Sequence, residues 1–318
     1  MKSTLTILLA IFLLNVNSFA QNRISYSQYM HNQGVFNPAY FSLENRLTAT
    51  MYYKKQWVGI EGAPVTKSLV AGYSINEKHL INLNIYQDAI TIFKDTKFGL
   101  GYNYKIKLDK KSTLSFGIKA DYGRFNSDYT TLDVQDTDDN VLLVNNVARG
   151  YFNIGTGAYF QSENLFAGIA APFLFNNSIL YKDYDIKKPS LKFNHIYFTA
   201  GGKIDFNGGV FYPTTLVKIV SGSPIQVDLN ANFLIKESIW LSAGFRSDLA
   251  LILSTGYVMQ NGIKFIYSYD LASFTAASYS RGSHEISVGY GLAFYRKDSF
   301  LKRKFLKRRM TFKGKKTN

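Results

Sequence analysis

The sequence predicts an all-β fold: a transmembrane, antiparallel, up-and-down β-barrel of about 14 strands, even in number, with both termini on the periplasmic side. Three observations predict it. Segments of roughly ten residues alternate between apolar and polar side chains, and the connections between them are short at one end and long at the other. After residue 20, no apolar run approaches the roughly 18 to 20 residues that a membrane helix needs. Strands that are apolar outside and polar inside are typical of outer-membrane barrels.

Period-two alternation is clearest in residues 97–108, where Phe98 and Leu100 flank Gly99. Because successive side chains of a strand point to opposite faces, this pattern predicts an apolar outer face and a polar inner face. Pro213 is expected at the end of its strand, since it cannot donate a backbone hydrogen bond to a neighbouring strand. The predicted strands are 46–57, 67–75, 79–87, 97–108, 113–125, 151–161, 165–174, 195–205, 210–220, 225–235, 239–246, 249–259, 263–269 and 285–295.

The connections between these strands fall into two classes. Consecutive strands of an up-and-down barrel reverse direction, so short turns belong to one end and long loops to the other. We expect the long loops outside the cell and the short turns in the periplasm. The short turns are 76–78, 109–111, 162–164, 206–208, 236–237 and 260–262, and the other connections, most of them longer, are 58–66, 88–96, 126–150, 175–194, 221–224, 247–248 and 271–283.

A secreted β-sandwich is the structural alternative. It would be built from strands of about five residues, shorter than the alternating segments found here. The chain also holds 23 Tyr and 25 Phe but only 2 Trp. An aromatic load of this kind suits the interfacial girdles and lipid-facing rows of a membrane barrel. Both observations favour the barrel over the sandwich.

The N-terminal segment matches an export signal. Lys2 precedes an apolar run over residues 5–14, and small residues stand at positions 18 and 20, as signal peptidase requires. Residues after this signal lack strand alternation up to the first predicted strand. The expected organisation is a signal peptide over 1–20, a periplasmic lead-in or plug over 21–45, the barrel over 46–295 and a basic periplasmic tail over 296–318.

The positive charge is concentrated in the tail. The formal net charge is +15, yet residues 296–318 hold 11 Lys and Arg against Asp298 alone. The rest of the chain is only mildly basic, which argues against a nucleic-acid-binding protein. Six large apolar residues interleave with the tail charges, so we expect the tail to bind an acidic periplasmic partner or the inner leaflet; a disordered, solvated tail is the alternative.

No motif for catalysis stands out. The chain has no cysteine, which excludes disulfides, thiolate metal sites and thiol nucleophiles. The four histidines are dispersed, and an acidic stretch over 133–139 lacks the glycine and glutamate of a calcium loop. We therefore predict no enzyme activity, no cofactor and no metal. The polar residues expected to face the lumen are Gly99, Asn103, Lys105, Lys119, Asp121, Asp228, Asn230, Asn232, Lys264, Ser268 and Asp270.

A series of motifs resembles the PorP/SprF family of type IX secretion membrane proteins. Together they extend in order over nearly the whole chain after residue 20, and as a set they are specific. The basic tail is a departure from the family pattern. The motifs are 28–32 (QYMHN), 36–40 (FNPAY), 56–59 (QWVG), 62–66 (GAPVT), 224–233 (PIQVDLNANF), 240–241 with 245–247 (WL, FRS), 267–270 (YSYD) and 282–286 (GSHEI).

The resemblance implies an outer-membrane barrel that works with the type IX secretion and gliding machinery. Expected partners are a secreted, adhesin-like surface protein bound through a type B C-terminal domain, periplasmic secretion components and outer-membrane lipid. A porin or solute-uptake channel is the alternative; a plugged lumen argues for the anchoring role and an open bore for the porin. Candidate partner-binding residues are Asn37, Pro38, Tyr40, Gln56, Trp57, Gly59, Gly62, Pro64, Lys302, Arg303, Lys304, Lys307, Arg308 and Arg309.

Overall fold

The computed structural model describes residues 26–40, 45–129, 147–176, 190–191, 195–248, 250–271 and 280–293. It is a closed antiparallel β-barrel, and the predicted fold class is confirmed. Two short 3-10 turns, Tyr29–His31 and Gln33–Val35, precede the strands. The strands are β1 Asn45–Lys55, β2 Val65–Ser74, β3 His79–Ile90, β4 Phe93–Lys107, β5 Thr113–Ser127, β6 Val147–Gln161, β7 Leu165–Ala171, β8 Phe175–Asn176, β9 Ser190–Leu191, β10 His195–Gly202, β11 Ile204–Phe206, β12 Gly209–Val220, β13 Gln226–Ile235, β14 Ile239–Arg246, β15 Ala250–Val258, β16 Ile263–Asp270 and β17 Ser283–Ala293.

We use "stave" for one strand position around the barrel wall. The barrel has 14 staves, because β10 and β11 together form one interrupted stave, and β8 and β9 pair with each other outside the main sheet. Each stave pairs with its neighbours in the chain, and β1 closes the sheet by pairing with β17. Closure gives each of the 14 strand positions of the barrel a neighbour on both sides, and only β11, which pairs with β12 alone, interrupts the pairing of the main sheet. No helix in the described part of the chain is long and apolar enough to cross a membrane.

The two faces of the wall follow the predicted alternation. Leu100, Tyr102, Ile118, Val288 and Tyr290 lie exposed on the outer surface. All of the polar residues predicted to face the lumen are buried or half-buried, which confirms the register. The exposed apolar surface is therefore the lipid-facing belt, and the polar residues form the core.

The two ends of the barrel also differ as predicted. We call them the short-turn end, which holds the connections 75–78, 108–112, 162–164, 207–208, 236–238 and 259–262, and the long-loop end, which among the described residues holds 56–64, 91–92 and 221–225. β5, β7, β14 and β16 also finish at the long-loop end. β1 begins and β17 finishes at the short-turn end.

Two sequence-based predictions about the wall were wrong. The connection expected over 88–96 is a tight turn, because β3 and β4 stay paired up to Ile90 and Phe93, and Thr91 takes a positive φ of 50°. Pro213 lies inside β12 rather than at its end. It is tolerated because its missing N–H falls where the neighbouring stave is interrupted between β10 and β11.

The register predicts how single substitutions affect insertion. Val288 is in the middle of β17 and faces outward, so Val288→Arg places a charge in lipid at a cost of about 2–4 kcal/mol. Gly289 faces inward, and an added Cβ there meets only ordinary contacts at 3.6 Å or more. Folding yield into lipid vesicles should fall for Val288→Arg and stay near that of the unsubstituted protein for Gly289→Ser. Equal yields would contradict the register.

Candidate functional site: the occupied lumen

Residues 26–40, which we call the lumen segment, run through the barrel from one end to the other. Ser27 lies beside Lys54, one residue from the long-loop end of β1. Tyr40 lies near the short-turn end, where its carbonyl accepts a hydrogen bond from Asn103 Nδ2 at 3.1 Å. The chain then leads into β1 at the short-turn end. Hydrogen bonds join the segment to wall residues on β1, β2, β4, β6, β7, β10, β12, β13, β16 and β17.

A cluster of buried charges forms one side of the lumen near the long-loop end. Lys54 Nζ lies 2.8 Å from Asp270 Oδ2 and 3.4 Å from Glu285 Oε2. Arg246 Nε donates to both carboxylate oxygens of Asp228 at 3.1 Å, and its Nη1 lies 3.5 Å from Asp270. We call these five residues the charge cluster. They come from five strands, β1, β13, β14, β16 and β17, so their pairing links these strands, and the two cations offset two of the three carboxylate charges.

Ser27 and Gln28 complete the charge cluster. The Ser27 hydroxyl donates to Asp270 Oδ2 and accepts from Lys54 Nζ, each at 2.7 Å. The backbone N–H groups of both residues donate to the Glu285 carboxylate at 2.7 and 3.1 Å. A buried carboxylate needs several donors to stay charged, and the lumen segment supplies two of those for Glu285. Wall and lumen segment therefore stabilise each other.

Aromatic side chains hold the middle of the segment. Tyr29 and Phe36 form an apolar core with Tyr197 and Leu216 of the wall. The His31 ring packs edge-on against Trp240 with ring centroids 4.4 Å apart. His31 is half-buried, its Nε2 atom is buried, and Lys264 lines the same space beside it.

The part of the segment nearer the short-turn end packs closely against wall positions where glycine leaves room for it. Asn37 Nδ2 donates to the carbonyls of Ala158 and Ile169 at 3.3 and 3.4 Å. An added Cβ at Gly117 would lie 2.2 Å from the Pro38 carbonyl oxygen. A side chain at that position is therefore incompatible with the observed path of the segment.

The structure brings the family-like motifs together around the lumen segment. Motifs 28–32 and 36–40 belong to the segment itself, and several inward-facing residues of the later motifs contact it or form the charge cluster. Asn230 Nδ2, for example, donates to the Tyr29 hydroxyl at 3.0 Å across a separation of 201 residues. The other inward-facing motif residues are Asp228, Asn232, Trp240, Arg246, Ser268, Asp270 and Glu285.

The outer motifs 56–59 and 62–66 meet at the long-loop end. Gln56 N donates to Pro64 O at 2.9 Å, and Val58 exchanges backbone hydrogen bonds with Gly282 and Arg281. Trp57, Gly59 and Gly62 take positive φ values of 45°, 102° and 69°. Trp57 is 47% exposed at the rim. The loop is thus an ordered extension of the wall with an exposed indole.

The predicted partner-binding residues fall into three places. Asn37, Pro38 and Tyr40 lie inside the barrel and contact the wall, whereas Gln56, Trp57, Gly59, Gly62 and Pro64 form the rim loop. The tail residues Lys302, Arg303, Lys304, Lys307, Arg308 and Arg309 lie outside the described residues, as does the acidic stretch 133–139. Within the described ranges, no three His, Cys, Asp or Glu side chains are grouped as metal ligands.

Four residues with contacts in the charge cluster were missed from the sequence: Lys54, Arg246, Glu285 and Ser27. Arg246 belongs to the motif 245–247 but was not assigned to the lumen. Side chains alternate along β1, so Lys54 must face the lumen if Met51 and Tyr53 face lipid. That alternation is the sequence signal that could have identified Lys54. Glu285 belongs to a recognised motif but was not assigned to the lumen. Nothing local marks Ser27, because its partners lie 27 to 258 residues away.

Fold and site together define an outer-membrane β-barrel whose bore is occupied by its own N-terminal segment. Among solved structures it is similar to the CymD monoaromatic hydrocarbon channel, at a TM-score of 0.52 and 12% identity over 84% of this chain and 94% of that one, a likeness of fold alone. It is also similar to the toluene transporter TbuX of Ralstonia pickettii (TM-score 0.47, 12% identity, 84% and 93% covered) and to Omp33 of Acinetobacter baumannii (0.45, 6%, 80% and 100%).

Residues 18–290 match the family model of the type IX secretion system membrane protein PorP/SprF. The chain belongs to this family, which confirms the resemblance seen in the motifs. No curated protein matches the sequence. The family and the fold are of a secretion and transport kind rather than those of a known enzyme family, and they locate the protein in the outer membrane.

Gly117 gives a test of the lumen segment. In Gly117→Ala the new methyl group must displace the Pro38 backbone, so we expect a loss of about 1–3 kcal/mol in stability and transient openings of the bore. Thermal unfolding in detergent and single-channel recordings measure the two effects. Gly289→Ala, where the nearest atom is 3.6 Å away, is the matched control. If the two variants behave alike, the segment does not lie against Gly117.

Proposed function

We propose that this barrel is a closed anchoring module of the type IX secretion and gliding machinery, and that it is neither an open channel nor a catalyst. It would hold a secreted, adhesin-like protein at the cell surface through a type B C-terminal domain. The observation that carries the proposal is the lumen segment, which occupies the bore and is hydrogen-bonded to strands around it. A diffusion porin needs a continuous aqueous path through that space.

In this proposal residues 1–20 are a signal peptide and residues 21–45 a plug. Asn37, Pro38 and Tyr40 would influence partner binding by keeping the plug in place, since their contacts are with the wall. The rim loop would contact the partner directly. Its support is the exposed Trp57 on an ordered backbone, because rigid exposed aromatic residues are common anchors of protein interfaces.

The tail would bind periplasmic components of the machinery. Its support is the concentration of 11 Lys and Arg within residues 296–318. Such contacts between exposed charges are screened over about 8 Å at physiological ionic strength, so they should weaken with salt. The alternative, a porin, is supported by the barrel fold.

Affinity purification from native membranes tests the anchoring role. The tagged full-length protein should recover a large surface protein at both low and high salt, and periplasmic components at low salt only. A form lacking 298–318 should keep the surface protein and lose the periplasmic components. Planar-bilayer recordings on the same preparation should show no steady conductance. Recovery of the bare barrel with an open-pore conductance would establish the porin instead.

A further inference from the structure

The outer face of the wall changes character where the apolar belt stops at the long-loop end of β1 to β5. The strand register sets the outward-facing side chains of these strands opposite one another, in rows that run around the barrel. The last apolar row is Met51, Leu69, Ile85, Phe98 and Tyr122. The next two rows, which we call the basic edge, are Tyr53, Lys67, Gln87, Thr96 and Arg124, followed by Lys55, Val65, Ala89, Lys94 and Asn126.

The charged residues of the basic edge are all cations, and all of them are exposed: Lys55, Lys67, Lys94 and Arg124. Within the described part of the chain, none of them forms an ion pair. The carboxylates of the same strands face the lumen instead, where Thr66 donates to Asp88 at 2.8 Å and Tyr151 donates to Asp95 at 2.6 Å. The outer face of these strands therefore carries a positive charge that the protein itself does not offset.

The four cations form two pairs. Lys55 and Lys67 are diagonal neighbours across β1 and β2. Lys94 and Arg124 have the same relation across β4 and β5. Diagonal neighbours lie about 7–8 Å apart, so two long cationic side chains can reach one phosphate between them. With three strand spacings between the pairs, the basic edge offers two phosphate positions about 14 Å apart.

This charge is confined to one arc of the barrel. Across the barrel, the outward positions at the same end are exposed and apolar: Ile219, Ile225, Phe245 and Leu251. At the short-turn end of β2 and β4, the outward positions are tyrosines: Tyr73, Tyr102 and Tyr104. The cations are thus not a general feature of the belt's margins, and they mark one side of one end.

We propose that the basic edge binds the phosphorylated headgroups of lipids in the leaflet at the long-loop end, which the loop lengths predict to be the outer leaflet. The cations lie on the wall beside the apolar row that begins at Met51, so one lipid can place its acyl chains on that row and its phosphate between a pair of cations. An acidic protein would meet only the cations. This inference is independent of the anchoring role, which uses the rim loop.

Binding of a phosphorylated glycolipid tests the proposal. The probe is diphosphoryl lipid A, titrated into the full-length protein in an uncharged detergent and counted by native mass spectrometry. The comparison lipid is the same molecule after removal of its phosphates. Each cation near an anionic lipid surface strengthens binding roughly fivefold, so the phosphorylated form should bind at least about a hundredfold more tightly. Equal binding of the two forms would overturn the inference, and so would full competition by millimolar inorganic phosphate, since the ligand would then be the free ion.

Two matched variants locate the site. The edge variant combines Lys55→Gln, Lys67→Gln and Lys94→Gln. The control variant makes the same charge change in exposed turns at the short-turn end and combines Lys78→Gln, Lys110→Gln and Lys236→Gln. The edge variant should bind the phosphorylated lipid about a hundredfold more weakly, whereas the control variant should bind it as tightly as the unsubstituted protein. Both are first matched to that protein by thermal unfolding, and equal binding by the two folded variants would overturn the site.

Two other anions compete for the basic edge, and each has its own outcome. If the acidic stretch 133–139 occupied the edge, changing its four aspartates to asparagine would raise lipid binding; we expect no change. If an acidic protein occupied it, the edge variant would lose that protein in purification from native membranes while its lipid binding stayed intact. If the unsubstituted protein binds the lipid but recovers no surface protein, the basic edge stands and the anchoring role fails.

Discussion

Charges buried inside the lumen must be paired, and the rest of the structure depends on that constraint. Lys54, Asp270 and Glu285 lie on three strands that meet at the barrel closure, and Arg246 extends the network to Asp228. Removing one partner from such a network typically costs about 3–5 kcal/mol, because an uncompensated charge is left behind. Here the network is incomplete without Ser27 and Gln28, so the wall carries a site that its own N-terminal chain must fill.

This dependence explains why motifs far apart in the chain occur together. Glu285 in the GSHEI motif receives backbone donors from Ser27 and Gln28, and Asn230 in the PIQVDLNANF motif reaches Tyr29. Gly117 lies outside the recognised motifs yet leaves room for Pro38. Each of these residues is explained by the path of the lumen segment, and none by the lipid face. The motifs inside the barrel therefore describe one packed interior, whereas the motifs 56–59 and 62–66 form the rim loop.

The wall and the residues that face the lumen could be predicted from sequence, but the contacts inside the lumen could not, for a physical reason. Alternation along Phe98, Gly99 and Leu100 assigns faces locally, since each side chain points opposite to its neighbour. The pairing of Ser27 with Asp270 spans 243 residues and leaves no periodic trace. The 88–96 connection was mispredicted because β3 and β4 continue beyond the apolar belt. Polar residues such as Asp88 and Asp95 lie opposite each other there, and the backbone pairing of the two strands continues through them. Pro213 was misplaced because its tolerance depends on an interruption in a different stave.

The free-energy cost of removing the lumen segment limits how an anchoring barrel can work. Withdrawing the lumen segment would strip Glu285 of two backbone donors and leave Asp270 and Lys54 without the Ser27 hydroxyl, besides exposing the apolar core around Phe36. Such an opening is costly unless a ligand replaces those contacts, because a ligand shifts an equilibrium only by its differential affinity for the two states. The proposed anchoring role avoids this cost, since a partner could use the rim loop while the segment stays in place. A solute channel would have to meet that cost to open the bore.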